Sequence, residues 1–394
     1  MSLNATPSSE RIHIGFFGRR NAGKSSVVNA VTGQDLAVVS DTKGTTTDPV
    51  SKAMELLPLG PVVVIDTPGF DDEGELGALR VKKTKQTLNR VDLAVLIVDV
   101  QEGLKETEKE LLELFKAKEI PWIVAWNKAD ILESVPEAAE NEIYVSATEG
   151  TNIYELKDLM AKAGKLQESK QVLVRDLMQP DDVILLVMPI DSAAPKGRMI
   201  LPQQMMIRDV LDGDGLVFGI KEDKVKEALA SLSRKPAMVI TDSQAFERVA
   251  KDVPEDIPLT SFSILMARYK GFLDVAVKGV AAIENLKDGD KILISEGCTH
   301  HRQCGDIGTV KLPNWLKKHS GKDLIIETSS GKGFPEDLSE YALVIHCGGC
   351  MLNEREVKYR MKCACDQGVP FTNYGICIAA MKGILQRSIA ILNQ

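Results

Sequence analysis

The chain has 394 residues, 44% of them hydrophobic and 26% charged, with a formal net charge of −8. That balance describes a soluble, core-forming protein and argues against a dedicated nucleic-acid binder, which needs a basic stripe. No apolar run is long enough for a bilayer, residues 1–10 form a polar tail without signal-peptide character, and the cytoplasm is the expected compartment.

An apolar run at 12–17 leads into Gly18-Arg-Arg-Asn-Ala-Gly-Lys-Ser-Ser26, which fits the pattern G-x-x-x-x-G-K-[ST]. In such a loop the glycines turn backbone N–H groups onto a β-phosphate. Lys24 carries charge to the β/γ oxygens and Ser25 ligates Mg²⁺. A helix is expected over 25–31. Gly44-Thr-Thr-Thr-Asp48 is a polar loop of the kind that folds onto Mg²⁺ and the γ-phosphate, with Thr46 the expected ligand. The run 61–65 ends in Asp66-Thr-Pro-Gly69, where the carboxylate holds a Mg²⁺-bound water and the Gly69 N–H reports the γ-phosphate. After runs at 93–98 and 122–126 comes Asn127-Lys-Ala-Asp130. A carboxylate here accepts from both N1–H and the N2 amino group of guanine, so Asp130 selects guanine over adenine. The run 143–145 leads into Ser146-Ala-Thr148, a guanine-O6 loop.

The predicted GTP site thus comprises Gly18, Asn21, Ala22, Gly23, Lys24, Ser25, Ser26, Thr46, Asp66, Gly69, Asn127, Lys128, Asp130, Ser146 and Ala147, with Lys24, Thr46, Asp66 and Gly69 closest to the chemistry. It resembles the translation-factor-like small GTPases, and within them the tRNA-modification GTPase and its relatives, whose loop reads G-T-T-R-D. Thr47 stands here in place of that arginine. The resemblance implies a K⁺ ion held by Asn21, which supplies the charge an arginine finger gives elsewhere. By residue type alone, Asn21 is also a side chain that closes a turn. Position 70 is Phe70, which cannot orient an attacking water, so slow, switch-like hydrolysis is expected.

Behind this domain, length leaves room for two more of ordinary size, and composition places the three at 1–166, 172–262 and 266–394. Strand-like runs at 183–188, 215–220 and 237–240 alternate with helix-like segments at 202–211, 221–232 and 243–251. They predict a small parallel layer with no catalytic motif, assigned to self-association. Its methionine-rich stretch 199–206 reads as core or as a partner surface. The handover to the third domain is expected at 259–270. The fold class is therefore α/β, a P-loop GTPase domain followed by two smaller parallel-sheet α/β domains.

All seven cysteines lie after residue 297, where an odd number clustered in a cytosolic chain reads as metal ligation or thiol chemistry. The run 291–295 precedes Glu296-Gly-Cys298-Thr-His300-His301, and the run 341–345 precedes His346-Cys347-Gly-Gly-Cys350. Residues just past the carboxyl ends of parallel strands meet at one crevice, so the two clusters can converge. Four readings compete. A Cys347–Cys350 redox dithiol leaves Cys298 and His300 without a role. Structural zinc takes Cys298, His300, Cys347 and Cys350. A thiol cluster without metal is the third. A 4Fe-4S cube, held by three thiolates with a replaceable fourth position, matches the ligand set best.

C-x-H, a long spacer and H-C-x-x-C, fused behind a GTPase domain, resemble the maturation GTPase of FeFe hydrogenase, across essentially the whole chain. The resemblance implies a homodimeric scaffold with GTPase, dimerisation and cluster domains. Such a scaffold receives a transient two-iron precursor from two radical-SAM maturation enzymes and passes it to apo-FeFe-hydrogenase, with no nucleic-acid or membrane partner. By position the cluster thiolates are Cys298, Cys347 and Cys350, with His300 or His346 filling or vacating the fourth site. His301 is a neighbour, Cys304 a spare ligand by spacing, and Cys363, Cys365 and Cys377 are expected to pack in the core. The rival readings are a tRNA-modifying GTPase and a zinc-binding ribosome-assembly GTPase.

Overall fold

The computed structural model describes residues 6–34, 50–67, 87–165, 172–190, 199–297, 306–331 and 333–393. Thr46, Thr47, Gly69, Phe70, Cys298, His300, His301 and Cys304 lie outside the described residues. The chain divides into two compact units, Met1–Ser169 and Lys170–Gln394.

The first unit contains β1 (Ile12–Gly18), α1 (Lys24–Thr32), β2 (Val50–Leu56), β3 (Gly60–Asp66), β4 (Leu93–Asp99), α2 (Glu106–Ala117), β5 (Trp122–Asn127), β6 (Glu142–Tyr144) and α3 (Ile153–Lys165). One sheet runs β2-β3-β1-β4-β5-β6, parallel throughout except for β2 against β3. Every residue of β4 is buried, and all but the last, Asp99, are apolar, because helices cover both faces of a parallel sheet. On one face Val27, Val28 and Val31 of α1 meet Leu156 and Met160 of α3. On the other, Phe17 meets Phe115 of α2 with ring centroids 5.3 Å apart.

The second unit contains β7 (Val183–Val187), α4 (Leu201–Asp212), β8 (Leu216–Ile220), α5 (Val225–Ser231), β9 (Met238–Thr241), α6 (Phe246–Asp252), β10 (Leu259–Ser261), α7 (Phe262–Tyr269) and α8 (Leu273–Gly279). There follow β11 (Lys291–Glu296), α9 (Leu312–Ser320), β12 (Ile325–Ser330), β13 (Tyr341–His346), α10 (Glu354–Asp366), β14 (Phe371–Asn373), α11 (Tyr374–Met381) and α12 (Leu385–Ile389). Two separate four-stranded sheets form, β8-β7-β9-β10 and β12-β11-β13-β14, both wholly parallel. The expected fold class is the observed one. The segment 259–270 supplies the fourth strand and following helix of the first of these sheets. Met206 is buried in the core while Met199 is 41% exposed, so the methionine stretch is core at one end and surface at the other. Among the described residues no helix is long and apolar enough to cross a membrane.

The two sheets share one topology: the second strand lies outside the first, and the third and fourth lie on its other side. Their sequences carry the same trace. Pro258-Leu-Thr-Ser-Phe-Ser-Ile-Leu-Met-Ala-Arg-Tyr-Lys-Gly-Phe-Leu-Asp274 matches residues 370–386 at Pro, Thr, Ile, Ala, Lys, Gly and Leu. Equivalent bonds recur. Val239 N–H donates to the Pro258 carbonyl and Val344 N–H to that of Pro370, both at 2.9 Å. Gly271 (φ 72°) and Gly383 (φ 70°) end the matching helices α7 and α11 in the left-handed region, where only glycine is unstrained. This unit is an internal duplication whose halves exchange their last helices. α8 packs on β14, where the Thr372 hydroxyl donates to the Ala276 carbonyl at 2.9 Å. α12 packs on β10, and Arg387 donates to the carbonyls of Ala250, Val253 and Pro254 just before it. One hydrophobic core therefore runs through both halves.

Candidate functional site

In the first unit, β1 ends at Gly18, where the chain passes so close to β4 that an added Cβ would sit 2.7 Å from the Ile97 carbonyl oxygen. Gly23 then takes a left-handed conformation (φ 83°) as N-cap of α1 and provides no side-chain cap. The first N–H groups of α1 are left pointing outward, as a phosphate requires. Ser25 and Ser26 lie on its first turn, and Asn21 is exposed in the loop with φ 66°. The Lys24 ammonium pairs with the Asp66 carboxylate at the end of β3. Register explains this meeting, because Phe16 lies beside Asp66 and the Thr67 hydroxyl donates to the Phe16 carbonyl at 2.7 Å.

Asn127 joins three motifs. Its Nδ2 donates to the Ala22 carbonyl at 3.0 Å and its Oδ1 accepts from Ala147 N–H at 3.2 Å. An added Cβ on Gly23 would lie 2.2 Å from Asn127 Nδ2, so that glycine is also required for this contact. Lys128 adopts φ 65° and its ammonium lies 2.6 Å from Asp99, which ends β4 in register with Asn127. Burial works against ionising Asp99, yet the Lys128 ammonium and the Gln101 N–H hold its carboxyl below the usual carboxylate range. Asp99 was not singled out in the sequence, although a carboxylate closing an apolar run is its signal. Asp130 is exposed on the single turn Ala129–Ile131, and Ser146 is buried with its hydroxyl accepting from Glu149 N–H at 3.1 Å. Replacing Asp130 with asparagine swaps an acceptor for an amide. GTP affinity is expected to fall ~100-fold or more, and xanthosine triphosphate, which offers a carbonyl at that edge, to bind instead; competitive titration of the two nucleotides measures this.

In the second unit, β11 and β13 are neighbours that pair Ser295 with His346, so Gly297 and Cys347 emerge side by side at their carboxyl ends. This is the switch point of the sheet, with β12 on one side and β14 on the other. Cys347 Sγ accepts from Gly297 N–H at 3.1 Å and from Gly349 N–H at 3.4 Å. Gly349 needs its φ of 65° to do so. At Gly297 an added Cβ would fall 2.8 Å from Leu352. Burial pushes the Cys347 thiol up, and the two N–H bonds oppose it. Cys347 and Cys350 are both half-buried reduced thiols. The donor set fits an anionic metal–sulfur group: a cradle that only glycine permits and N–H groups directed at the sulfur. Cys298, the residue after Gly297, lies outside the described residues, and among the described residues no group of three metal-binding side chains gathers.

His346 is fully buried. Its Nδ1–H donates to the Cys347 carbonyl at 2.7 Å, so Nε2 is the acceptor that faces Arg360 Nη1 at 3.3 Å. Burial, followed by the Arg360 charge, depresses its pKa to about 3. In this structure both ring nitrogens therefore have protein partners, the Cys347 carbonyl and Arg360. Cys377 is buried in α11 and Cys363 half-buried against the core, as expected. Cys365 is exposed on the last turn of α10 and is not a packing residue.

Together the six-stranded sheet, the uncapped P-loop helix and the Asn127–Lys128–Asp130 loop define the first unit as a P-loop GTPase domain. Residues 13–128 accordingly match the family model for the 50S ribosome-binding GTPase. Residues 173–271 match the hydrogen maturase F dimerization domain and residues 274–391 the hydrogen maturase F tetramerization domain, together more than half of the chain. The chain belongs to the hydrogen maturase F family. Curated relatives include the tRNA modification GTPase MnmE of Chromobacterium violaceum, 35% identical over 134 residues, 34% of this chain and 29% of that protein. MnmE of Acetivibrio thermocellus is 25% identical over 232 residues, 55% of this chain and 49% of that protein. The chain thus spans about a third to a half of the length of these relatives. A crystal structure of Aquifex aeolicus Era with GDP and aluminium fluoride matches 61% of this chain and 97% of its own, at 19% identity and a TM-score of 0.34.

Proposed function

We propose that this member of a hydrogenase-maturation family binds and hydrolyses GTP and acts as a scaffold. It carries a 4Fe-4S cluster on Cys298, Cys347 and Cys350 and delivers a two-iron precursor to apo-FeFe-hydrogenase. The observation that carries the reading is the Cys347 thiol cradled by two backbone N–H groups at a switch point, in a chain that has both maturase domains. A bound cluster supplies an iron atom with an exchangeable fourth position, the property a carrier needs to take up and release its cargo. His300 or His346 would fill or vacate that position.

At the nucleotide site Ser25 and Thr46 would hold Mg²⁺, Asp66 its water, and Asn21 a K⁺ ion that accelerates an otherwise slow hydrolysis. GTP then serves as a timing signal for partner contacts, the radical-SAM enzymes and the apo-hydrogenase being the partners. The domain limits 1–166, 172–262 and 266–394 are part of this reading.

Self-association has a candidate surface in β8. It is an edge strand bonded to β7 alone, with Leu216 49% and Phe218 40% exposed. Two such edges join by pairing their backbones, and the apolar side chains seal the joint. Phe218→Lys is expected to convert dimers to monomers in light scattering after size exclusion.

Purification without oxygen, followed by iron, sulfide and zinc analysis, tests the scaffold reading. Equal iron and sulfide with broad visible absorption support it. Zinc alone would establish the zinc-binding rival, and salt-dependent RNA binding the tRNA-modifying one.

A further inference from the structure

Arg360 is the largest side chain fully buried in the described structure, at 1% exposure, and the only arginine buried among the described residues. Its place on α10 is part of a buried stripe with Glu356, Val357 and Ala364. One side of the guanidinium is neutralised on its own helix: Nε and Nη2 donate to Glu356 Oε1 at 3.0 and 2.9 Å. The other side reaches three strand ends. Nη2 donates to the Gly331 carbonyl just past β12 at 2.5 Å. Nη1 lies 3.4 Å from Ser295 Oγ and 3.5 Å from the Glu296 carbonyl of β11, and 3.3 Å from His346 Nε2 of β13.

Two of those contacts lead directly to the thiol crevice. The Glu296 carbonyl and the Gly297 N–H belong to one trans peptide, so they point in opposite directions. The carbonyl accepts from Gly331 N–H at 3.0 Å with Arg360 Nη1 a second contact at 3.5 Å, and Cys347 Sγ receives the N–H. Polarising one end of a peptide strengthens the hydrogen bond at the other. That peptide enters Gly297, the residue before Cys298 in the sequence. His346, held by the same Nη1, directly precedes Cys347. The duplication provides an internal comparison. In the other half, with the same strand order, the buried positions of α6 are Phe246 and Val249, no arginine is buried among the described residues, and Asp242 follows β9 where Cys347 follows β13. The buried cation accompanies the thiols.

We infer that Arg360 is the positioning residue of the cluster site: it clamps the ends of β11, β12 and β13 so that Gly297 and the Cys347 thiol stand side by side, and it places a fixed positive charge behind them. This rests on the cluster reading above. Met at this position removes the charge and every clamp bond. Lys keeps the charge, but a single ammonium cannot reach Glu356 and three strand ends together.

The test uses the full chain, reconstituted with iron and sulfide without oxygen, in wild-type, R360M and R360K forms. R360M is expected to retain iron ~10-fold less well against a chelator, with an altered electron paramagnetic resonance signal and a more negative reduction potential in the fraction that stays loaded. R360K is expected to lose iron faster than wild type while its potential stays nearer the wild-type value. Far-ultraviolet circular dichroism reports whether each variant is folded. A folded R360M with wild-type iron retention, spectrum and potential overturns the inference; should R360M fail to fold, wild-type retention and spectrum in R360K overturn it. A wild-type protein that takes up no iron sinks the cluster reading itself, and the inference with it.

Discussion

Cys347→Ser is expected to weaken cluster retention on the order of 100-fold. It replaces the sulfur that two backbone N–H groups address with a hard oxygen donor that prefers other metals. Measured as iron and sulfide per chain after reconstitution and chelator challenge, the loss should be accompanied by failure to activate the hydrogenase. Cys365→Ser is the control. That thiol is exposed on α10, so its removal should leave iron content within error. Equal iron in the Cys347 variant and wild type would dismiss the crevice as the metal site, whereas zinc lost in place of iron would favour the structural-zinc reading.

Lys24→Ala is expected to slow GTP hydrolysis about 100- to 1000-fold, because it removes the P-loop cation that offsets charge on the β/γ oxygens. Phosphate release under saturating GTP measures it. The alanine also leaves the half-buried Asp66 carboxylate without its ion pair, so GTP binding should be titrated separately to divide ground-state from transition-state loss. Repeating hydrolysis in K⁺ and Na⁺ tests Asn21: equal rates in the two salts remove its assigned ion. Full hydrogenase activation by Lys24→Ala would mean that GTP does not time delivery.

Much of the first unit was legible because its motifs are contiguous and most of them follow an apolar run. Gly18 to Ser26 declares its loop in nine residues, and β4 reads as a strand because both of its faces are covered. The helix α10 starts after its cap Asn353, whose side chain accepts from Glu356 N–H, and its buried stripe mixes Val357 and Ala364 with the charged Glu356 and Arg360. Strands β10, β12 and β14 were not legible. β10 and β14 are three residues each, too short for periodicity to register, and β12 is an edge strand whose mixed burial gives no clean alternation. The duplication escaped notice for another reason: strand order and burial keep two halves alike long after most residues have diverged, so identity survives clearly only around α7 and α11.

The chemical vocabulary of this protein belongs to its sequence. A lysine between glycine and serine, an aspartate two residues beyond Asn-Lys, and cysteines beside paired glycines state which ligand types can be held, since those requirements are met within a few bonds. The tertiary structure alone decided which groups serve and which support. It gave both nitrogens of His346 to the protein, exposed Cys365, brought Asp99 to Lys128, and put Arg360 against Ser295, Glu296 and Gly331, residues 65, 64 and 29 positions away. Such assignments depend on which polar groups are buried together, because a buried donor or acceptor must find a partner wherever the fold supplies one.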